Sequence, residues 1–407
     1  MRLGATRQVI RGFGSSERSW TDPHLAGSAN VNVPSPVQAQ ILTALYKKLG
    51  LTMARDSIDP GIQARAGAPF NFGKADAQAR FVKQAKRYGL KTFFPSPVYL
   101  EGWMRPSDPA PYVDWAMALL ERWRSLGVTP PYYSVLNEPQ VAKNFPPQWL
   151  HDVVIQLGQR MRAAGFKTKL VIPDDENPID AYRRAVAVLQ DPQARQYVGA
   201  VAFHIYRIGA PSDWAKLRGL ASQYKLPLWM TEYWKRSYST YSGAFDWAIK
   251  MHQLLTIGNV NAIFYLWGFF GDWGSGAAAG PISIHFDNGA FVSWSKTSLY
   301  YLTGQYSKFV RPGYTRVDAS SSDPAVLVSA YKHGRKVVIV ATNTAPDART
   351  FSVHVPKGRI LRKVSLVQTT ATSGLKALKP LRSRHNSFAG VLPAQSVTTF
   401  LAGRRRR

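Results

Sequence analysis

Cysteine is absent from all 407 residues, which excludes disulfides, thiol catalysis and cysteine-ligated metal while leaving the redox compartment open. Acidic residues are scarce: 24 Asp and Glu stand against 52 Lys and Arg, a formal charge of +28. No apolar run approaches the roughly 18–20 residues that cross a bilayer, so no membrane span is expected. The opening MRLGATRQVIRGFG lacks the apolar core of a signal peptide. It passes almost directly into a strand-like segment, as if an upstream piece had been trimmed.

The basic surplus is uneven. Residues 308–407 hold 19 Lys and Arg against 3 Asp, about +16 of the total. Such a field concentrates anionic polymers or surfaces, although solubility or adaptation to the environment is the plainer explanation. The closing run 404–407, RRRR, reads as a disordered basic tail. What is abundant is apolar and aromatic: 45% hydrophobic residues, with 12 Trp and 19 Tyr. A chain of this length and content buries the core of one large domain plus a smaller one.

Short β-rich runs alternate with longer amphipathic ones. The runs are VIRGFGSS (9–16), LTMARDSI (51–58), KTFFPSPV (91–98), YYSVLNEP (132–139), KTKLVIPD (167–174), GAVAFHIYR (199–207), LPLWMTEY (226–233) and NAIFYLWGFF (261–270). Between them, ADAQARFVKQAKRYG, PYVDWAMALLERWRSLG and QWLHDVVIQLGQRMRAAG have helical spacing and end on glycine, a C-terminal stop signal. Eight such strand–helix units predict an α/β fold, a (β/α)₈ TIM barrel over residues 1–308. A doubly wound sheet would carry a glycine-rich nucleotide loop after its first strand, and GFGSS fails that spacing. Beyond about residue 310, AVLVSAYK, KVVIVATN, RTFSVHV, ILRKVSLVQT and SVTTFLA are short, alternating and separated by turns. They predict a C-terminal side β-sandwich over 309–403, with residues 1–10 as candidates for an extra strand.

Chemistry in such a barrel sits at the C-terminal strand ends. Those ends offer Ser15–Glu17, Arg55–Asp56, Ser96, Asn137–Glu138, Asp174–Glu176, His204–Tyr206, Glu232–Tyr233 and Trp267. Carboxylates mixed with Trp and Tyr suit a sugar, whose C–H faces stack on rings while its hydroxyls need hydrogen bonds. Glu138 ends the fourth strand and Glu232 the seventh, three units later. Carboxylates so placed face each other across the mouth and can flank a glycosidic bond as acid/base and nucleophile. Taken alone, Glu138 also suits a helix cap before Pro139, and Arg55 suits a partner for Asp56. Asp174, Asp175 and Glu176 are consecutive, so their side chains point apart; a solvated loop or an N-cap before Pro178 is expected there rather than a metal site. Glu17 is divided between substrate contact and a surface ion pair.

Asn137-Glu138-Pro139 and Thr231-Glu232-Tyr233, each after a strand, resemble the retaining β-glycosidases of clan A. GFGSS, Arg55, SPVYLEGWM (96–104), His204-Ile205-Tyr206, YYLTGQYSKFVRPGYTRV (300–317) and LPAQSVTTF (392–400) are similar, within that clan, to glycoside hydrolase family 30. The resemblance covers nearly the whole chain. It implies an O-glycosyl hydrolase that retains configuration, with Glu138 as acid/base, Glu232 as nucleophile and Asn137 on the sugar 2-hydroxyl. It implies Arg55 as a cationic partner of Glu232, and His204, Tyr206, Trp103 and Trp267 as residues that position the sugar. His204, Trp103 and Trp267 also suit ordinary packing roles. No metal or organic cofactor is implied.

Family members act on xylans, β-1,6-glucans or galactans, glucosylceramide and related β-glycosides. Those requiring a glucuronic acid branch carry a basic residue after strand eight, where this chain reads FYLWGFFGDWGSG, with an Asp and no Arg. Trp267, Phe269, Phe270 and Trp273 instead offer a stacking platform for neutral sugar, and WKRSYSTYSG (234–243) a wall for the leaving side. The resemblance also implies secretion or another extracytoplasmic location. Monomeric action on carbohydrate is expected, with an anionic polymer or surface as a possible second partner of the basic C-terminal region. Nucleic acid is disfavoured, because no basic stretch carries interleaved aromatics. Competing readings are a β-glucuronidase-like enzyme on an acidic polysaccharide, a transglycosylase using the same two carboxylates, and a non-catalytic polyanion-binding protein.

Overall fold

In the computed structural model, residues 1–28, 31–207, 209–272, 280–355 and 363–403 are described. Trp273 with the rest of its loop, the Ile360–Arg362 start of ILRKVSLVQT and the basic tail 404–407 lie outside them. Strand β1 (Arg2–Val9) precedes the barrel strands β2 (Gly12–Glu17), β3 (Met53–Ile58), β4 (Thr92–Pro97), β5 (Tyr132–Ser134), β6 (Lys169–Asp175), β7 (Val198–His204), β8 (Leu228–Glu232) and β9 (Ala262–Leu266). These eight form one parallel sheet in the order β4-β3-β2-β9-β8-β7-β6-β5. The seam between β4 and β5 is bridged where the Asn137 N–H donates to the Pro97 carbonyl at 2.9 Å. The chain is thus a (β/α)₈ barrel with a β-rich C-terminal region.

The strands read as continuous apolar runs because they are covered on both faces. Met53, Phe94, Val171, Ala200, Ala202, Trp229, Ala262 and Phe264 fill the interior, and Phe94 meets Phe264 edge-on at 5.5 Å. This plug gives the mouth a solid floor. Outside it pack α1 (Ser35–Leu42), α2 (Gly73–Lys86), α3 (Ala110–Ser125), α4 (Pro139–Lys143), α5 (Pro147–Ala163), α6 (Pro178–Leu189), α7 (Pro192–Arg195), α8 (Pro211–Gln223), α9 (Tyr241–Gln253) and α10 (Ser298–Ser307). Two of them stop where the sequence has Leu-Gly or Ala-Gly: Gly127 and Gly165 adopt φ of +73° and +76°, the left-handed turn that glycine tolerates.

Two departures from the sequence reading have local causes. VIRGFGSS is not one strand. The Ile10 N–H donates to Tyr314 and the Arg11 N–H to Asn261, so the chain changes sheets there. Residues 281–296 were assigned no element, yet β10 (Phe269–Gly271), β11 (Ile282–Asp287) and β12 (Ala290–Lys296) form a small sheet beside the mouth. The Asp287-Asn288-Gly289 turn was its overlooked hairpin signal.

The C-terminal strands are β13 (Thr315–Asp318), β14 (Val326–His333), β15 (Lys336–Asn343), β16 (Arg349–His354), β17 (Lys363–Thr370), β18 (Ser373–Arg382), β19 (Ser387–Leu392) and β20 (Ser396–Gly403). They make a seven-stranded sheet, β1-β13-β14-β15-β20-β17-β18, faced by the pair β16-β19. Val317, Ile339, Val364, Phe388, Leu392 and Phe400 are buried between them.

Candidate active site

The barrel strands deliver their last residues to one rim, where hydrogen bonds hold the polar side chains. Arg55, the third residue of β3, is 1% exposed. Its Nη1 donates to Glu232 Oε2 at 2.7 Å, and its Nε and Nη2 to Asp174 Oδ2 at 3.2 and 3.0 Å. Its Nη2 also donates to Asn137 Oδ1. A guanidinium is a rigid fork of five donors with no acceptor, so one side chain fixes three others.

Asp174 is the centre of this network. It accepts from Ser96 Oγ at 3.1 Å, Ser134 Oγ at 2.7 Å and Thr231 Oγ1 at 2.5 Å, besides Arg55. Burial opposes its charge, but Arg55, then His204 and Thr231, hold the carboxyl well below the usual carboxylate range. The expectation of a solvated loop at 174–176 is therefore wrong for its first two residues, which are fully buried. Their side chains do point apart, and each direction is buried. Asp174 enters the mouth, while Asp175 meets Arg184 of α6 at 2.8 Å. Asn177 caps α6 instead, accepting from the N–H groups of Ile179 and Asp180.

Both oxygens of Glu232 are bonded, Oε2 by Arg55 and Oε1 by the Tyr206 hydroxyl at 2.7 Å. Burial, then Glu232, keeps the Tyr206 phenol well above its ordinary pKa and hence a neutral donor. Glu138 Oε1 lies 2.8 Å from His204 Nδ1, and His204 Nε2 lies 3.4 Å from Asp174 Oδ1, an ionic contact rather than a well-directed hydrogen bond. Burial would lower the His204 pKa, but Glu232, Asp174 and Glu138 raise it to about 10, so the ring is an imidazolium at neutral pH. Glu138 and Asp174 have left-handed φ values of 46° and 62°, strain of order 1–3 kcal/mol each that the surrounding bonds must maintain.

An oxygen of Glu138, an oxygen of Glu232 and a ring nitrogen of His204 all lie within 4.8 Å of one another. That approach is closer to the roughly 5–5.5 Å spacing of a carboxylate pair that retains configuration than to the about 6.5–9.5 Å of an inverting pair. Asp22, His24 and Asp59 form a second group of the same span. There Arg18 Nη1 already bonds Asp22 at 2.8 Å and Asp59 at 2.6 Å, in the place a cation would take.

No family model matches the chain. It is 27% identical over 430 residues to the glucuronoxylanase XynC of Bacillus subtilis (strain 168), covering 99% of this chain and 91% of that one. It is 23% identical over 316 residues to the endo-1,6-β-D-glucanase neg1 of Aspergillus fumigatus, covering 71% and 55%. The fold matches the crystal structure of a GH30 endoxylanase from Clostridium papyrosolvens C71 at a TM-score of 0.78 and 25% identity, over 99% and 98% of the two chains. A family 30 subfamily 8 xylanase, Xyn30A of Clostridium acetobutylicum, matches at the same values. Sequence and fold together support an assignment to glycoside hydrolase family 30. It is a retaining β-glycoside hydrolase.

Of the site residues named from sequence, the fold brings together Arg55, Asn137, Glu138, His204, Tyr206 and Glu232. Trp103 and Trp267 are half-buried nearby. The Trp103 indole donates to the Gln63 carbonyl at 2.8 Å, and Trp267 stacks on Phe270 at 5.2 Å with the Arg18 guanidinium 4.7 Å from its centroid. Among the described residues, neither bonds the carboxylate cluster. The neutral-sugar platform shrinks, because Phe269 is buried against Trp20 at 4.5 Å and Phe270 is buried as well. In WKRSYSTYSG, Tyr238 turns inward to Asp246 at 2.6 Å, while Trp234 and Tyr241 are half-buried and the Tyr241 hydroxyl reaches the Gln395 carbonyl at 2.7 Å.

Glu17 fits neither role first considered for it. It is fully buried, accepting at Oε1 from Ser15 at 2.6 Å and Tyr46 at 3.3 Å, while Oε2 has no partner. Asp56, opposite it on β3, is bonded by Gln78 at 2.8 Å rather than by Arg55. A side chain at residue 268 would put its Cβ 2.3 Å from Glu17 Oε1, which accounts for Gly268. Burial pushes Glu17 up to about 8 and Asp56 up to about 7. The folded chain then keeps a Glu17 proton that the unfolded chain releases above its ordinary value of 4.5, so this contribution is lost as pH rises from about 4.5 to about 8. Relative to the parent, Glu17→Gln should gain about 2–4 kcal/mol of unfolding free energy between about pH 5 and pH 8. Urea denaturation at both pH values measures this, and an equal difference at each would contradict a protonated Glu17.

Proposed function

We propose that this enzyme cleaves the β-linked backbone of a xylan-type polysaccharide by double displacement, with Glu232 as nucleophile and Glu138 as acid/base. The observation that carries it is the carboxylate pair with oxygens within 4.8 Å, Glu138 just before α4 and Glu232 at the end of β8. Similarity to a glucuronoxylanase and to family 30 xylanases over nearly the full chain supports the substrate class. Glu138 gives its proton to the departing glycosidic oxygen as a Glu232 oxygen attacks the anomeric carbon from the opposite face. Arg55 and Tyr206 orient that carboxylate, so little reorganisation remains at the moment of attack. Asn137 Oδ1 is committed to Arg55, which leaves its Nδ2 to donate to the 2-hydroxyl. Glu138 then takes a proton from water, the water attacks the anomeric carbon, and Glu232 departs as carboxylate.

A neutral stretch of xylan suits the site better than a glucuronate branch. Asp272 follows β10 where a basic residue would pair with the acid, and the nearby Arg18 is engaged by Asp22 and Asp59. The chain works as a monomer outside the cytoplasm, where polysaccharide is met. Its second partner is an anionic polymer held by the cationic C-terminal region.

The test is digestion of unsubstituted xylan, glucuronoxylan, β-1,6-glucan and β-galactan, with product sizing and NMR of fresh product. Xylan should be cut with the β anomer appearing first. Cleavage of β-1,6-glucan alone would overturn the substrate, and an α anomer first would overturn the double displacement.

A further inference from the structure

From residue 348 onward the chain has 13 Lys and Arg and no Asp or Glu. The tertiary structure gathers part of this charge at one place. Lys363, first in β17, lies directly opposite Arg382, last in β18, and like charges so paired across strands destabilise a sheet. Lys379, Arg382, Arg384 and His385 join Lys363 around a surface concavity of about 810 Å³. All five are exposed. The nearest acids in sequence are engaged elsewhere: Asp318 by Arg2 and Arg7, Asp323 and Asp347 by Arg349. Among the described residues, no carboxylate lies within ion-pair distance of Lys363, Lys379, Arg382 or Arg384.

We propose that this concavity is a non-catalytic binding site for a carboxylate-bearing polysaccharide. Two guanidinium groups present forks that match carboxylates bidentately, and the lysines add point charge. The lining contains no Trp, Tyr or Phe on which bases would stack, so uronate sugars fit it better than nucleic acid. Strand β18 is the open edge of its sheet, and charge there also discourages edge pairing. That task needs neither a single sign nor a hollow. The inference rests on the polysaccharide-hydrolase reading only for its use. A hold on acidic glycan keeps the barrel near neutral backbone in the same wall and raises the effective substrate concentration.

Affinity of the whole chain is measured for polygalacturonate, unsubstituted xylan and duplex DNA. Polygalacturonate should bind tightest, with affinity falling about tenfold or more between about 50 and 200 mM salt. Lys379→Ser with Arg382→Ser and Arg384→Ser should weaken it about tenfold, whereas Arg382→Lys with Arg384→Lys should restore most of the binding. Turnover on a short neutral xylo-oligosaccharide should be unchanged throughout. Parental affinity for polygalacturonate in the triple serine variant, or tighter binding of DNA, would each overturn the site. Turnover is read separately: loss of all glycan cleavage with polygalacturonate binding intact would sink the hydrolase reading alone.

Discussion

Glu232→Gln is expected to lower turnover on every polysaccharide by about 10⁴-fold or more, because the attacking carboxylate oxygen is replaced by a far weaker amide. Glu138→Ala should differ in kind. With a sugar leaving group it loses about 10²–10⁴-fold, the usual worth of general acid catalysis. With a dinitrophenyl leaving group, which departs without a proton, formation of the glycosyl-enzyme should proceed at nearly the parental rate. Added azide should then speed release and give the β-glycosyl azide. Kinetics on the two substrates, with NMR of the azide product, check both roles. A β-glycosyl azide from Glu232→Gln, with the α-glycosyl azide from Glu138→Ala, would exchange the two assignments.

Asp174→Asn should be nearly as damaging, although this residue touches no substrate in the proposed mechanism. Arg55 would lose its only fully buried anion, and removing one partner of a buried ion pair costs about 3–5 kcal/mol. Asn keeps an acceptor for Arg55, Ser96 and Ser134, and the Thr231 hydroxyl can turn to meet the new amide, so the fold should survive. Asp174 is also one of the groups that raise His204. Its neutralisation moves the His204 titration downwards, so the imidazolium beside Glu138 is lost at a lower pH. Denaturation measures the first effect and the alkaline limb of the pH–rate profile the second. An unshifted limb would mean that Asp174 acts on packing alone.

The six residues that meet around the carboxylate pair were legible because each lies in or just after a strand of a recognisable pattern. Apolar runs of β-branched and aromatic residues alternate with helices closed by Gly127 or Gly165, and in a parallel barrel the strand ends must converge. Asp174 was misjudged by the same logic applied too briefly. Two adjacent carboxylates on a strand point to opposite faces, but in this barrel one face is the mouth and the other meets the side chain of Arg184. Glu17 was misjudged because a carboxylate at a strand end normally finds solvent or a cation, and here Ser15, Tyr46 and Gly268 close over it. The aromatic run after β9 looked like a platform, since composition cannot say whether a ring faces sugar or, like Phe269, the ring of Trp20.

The sequence by itself determined the barrel, its side sheet and the pair of glutamates, since periodicity and strand order are local or nearly local properties of a chain. Which charges are paired was decided only by the tertiary structure. Arg55 serves Asp174 and Glu232 rather than its neighbour Asp56, Arg18 is spent on Asp22 and Asp59, and Lys363 faces Arg382 unopposed. The physical reason is that electrostatic partners lie within a few ångströms in space but up to 177 residues apart in sequence, and burial alters what each charge costs.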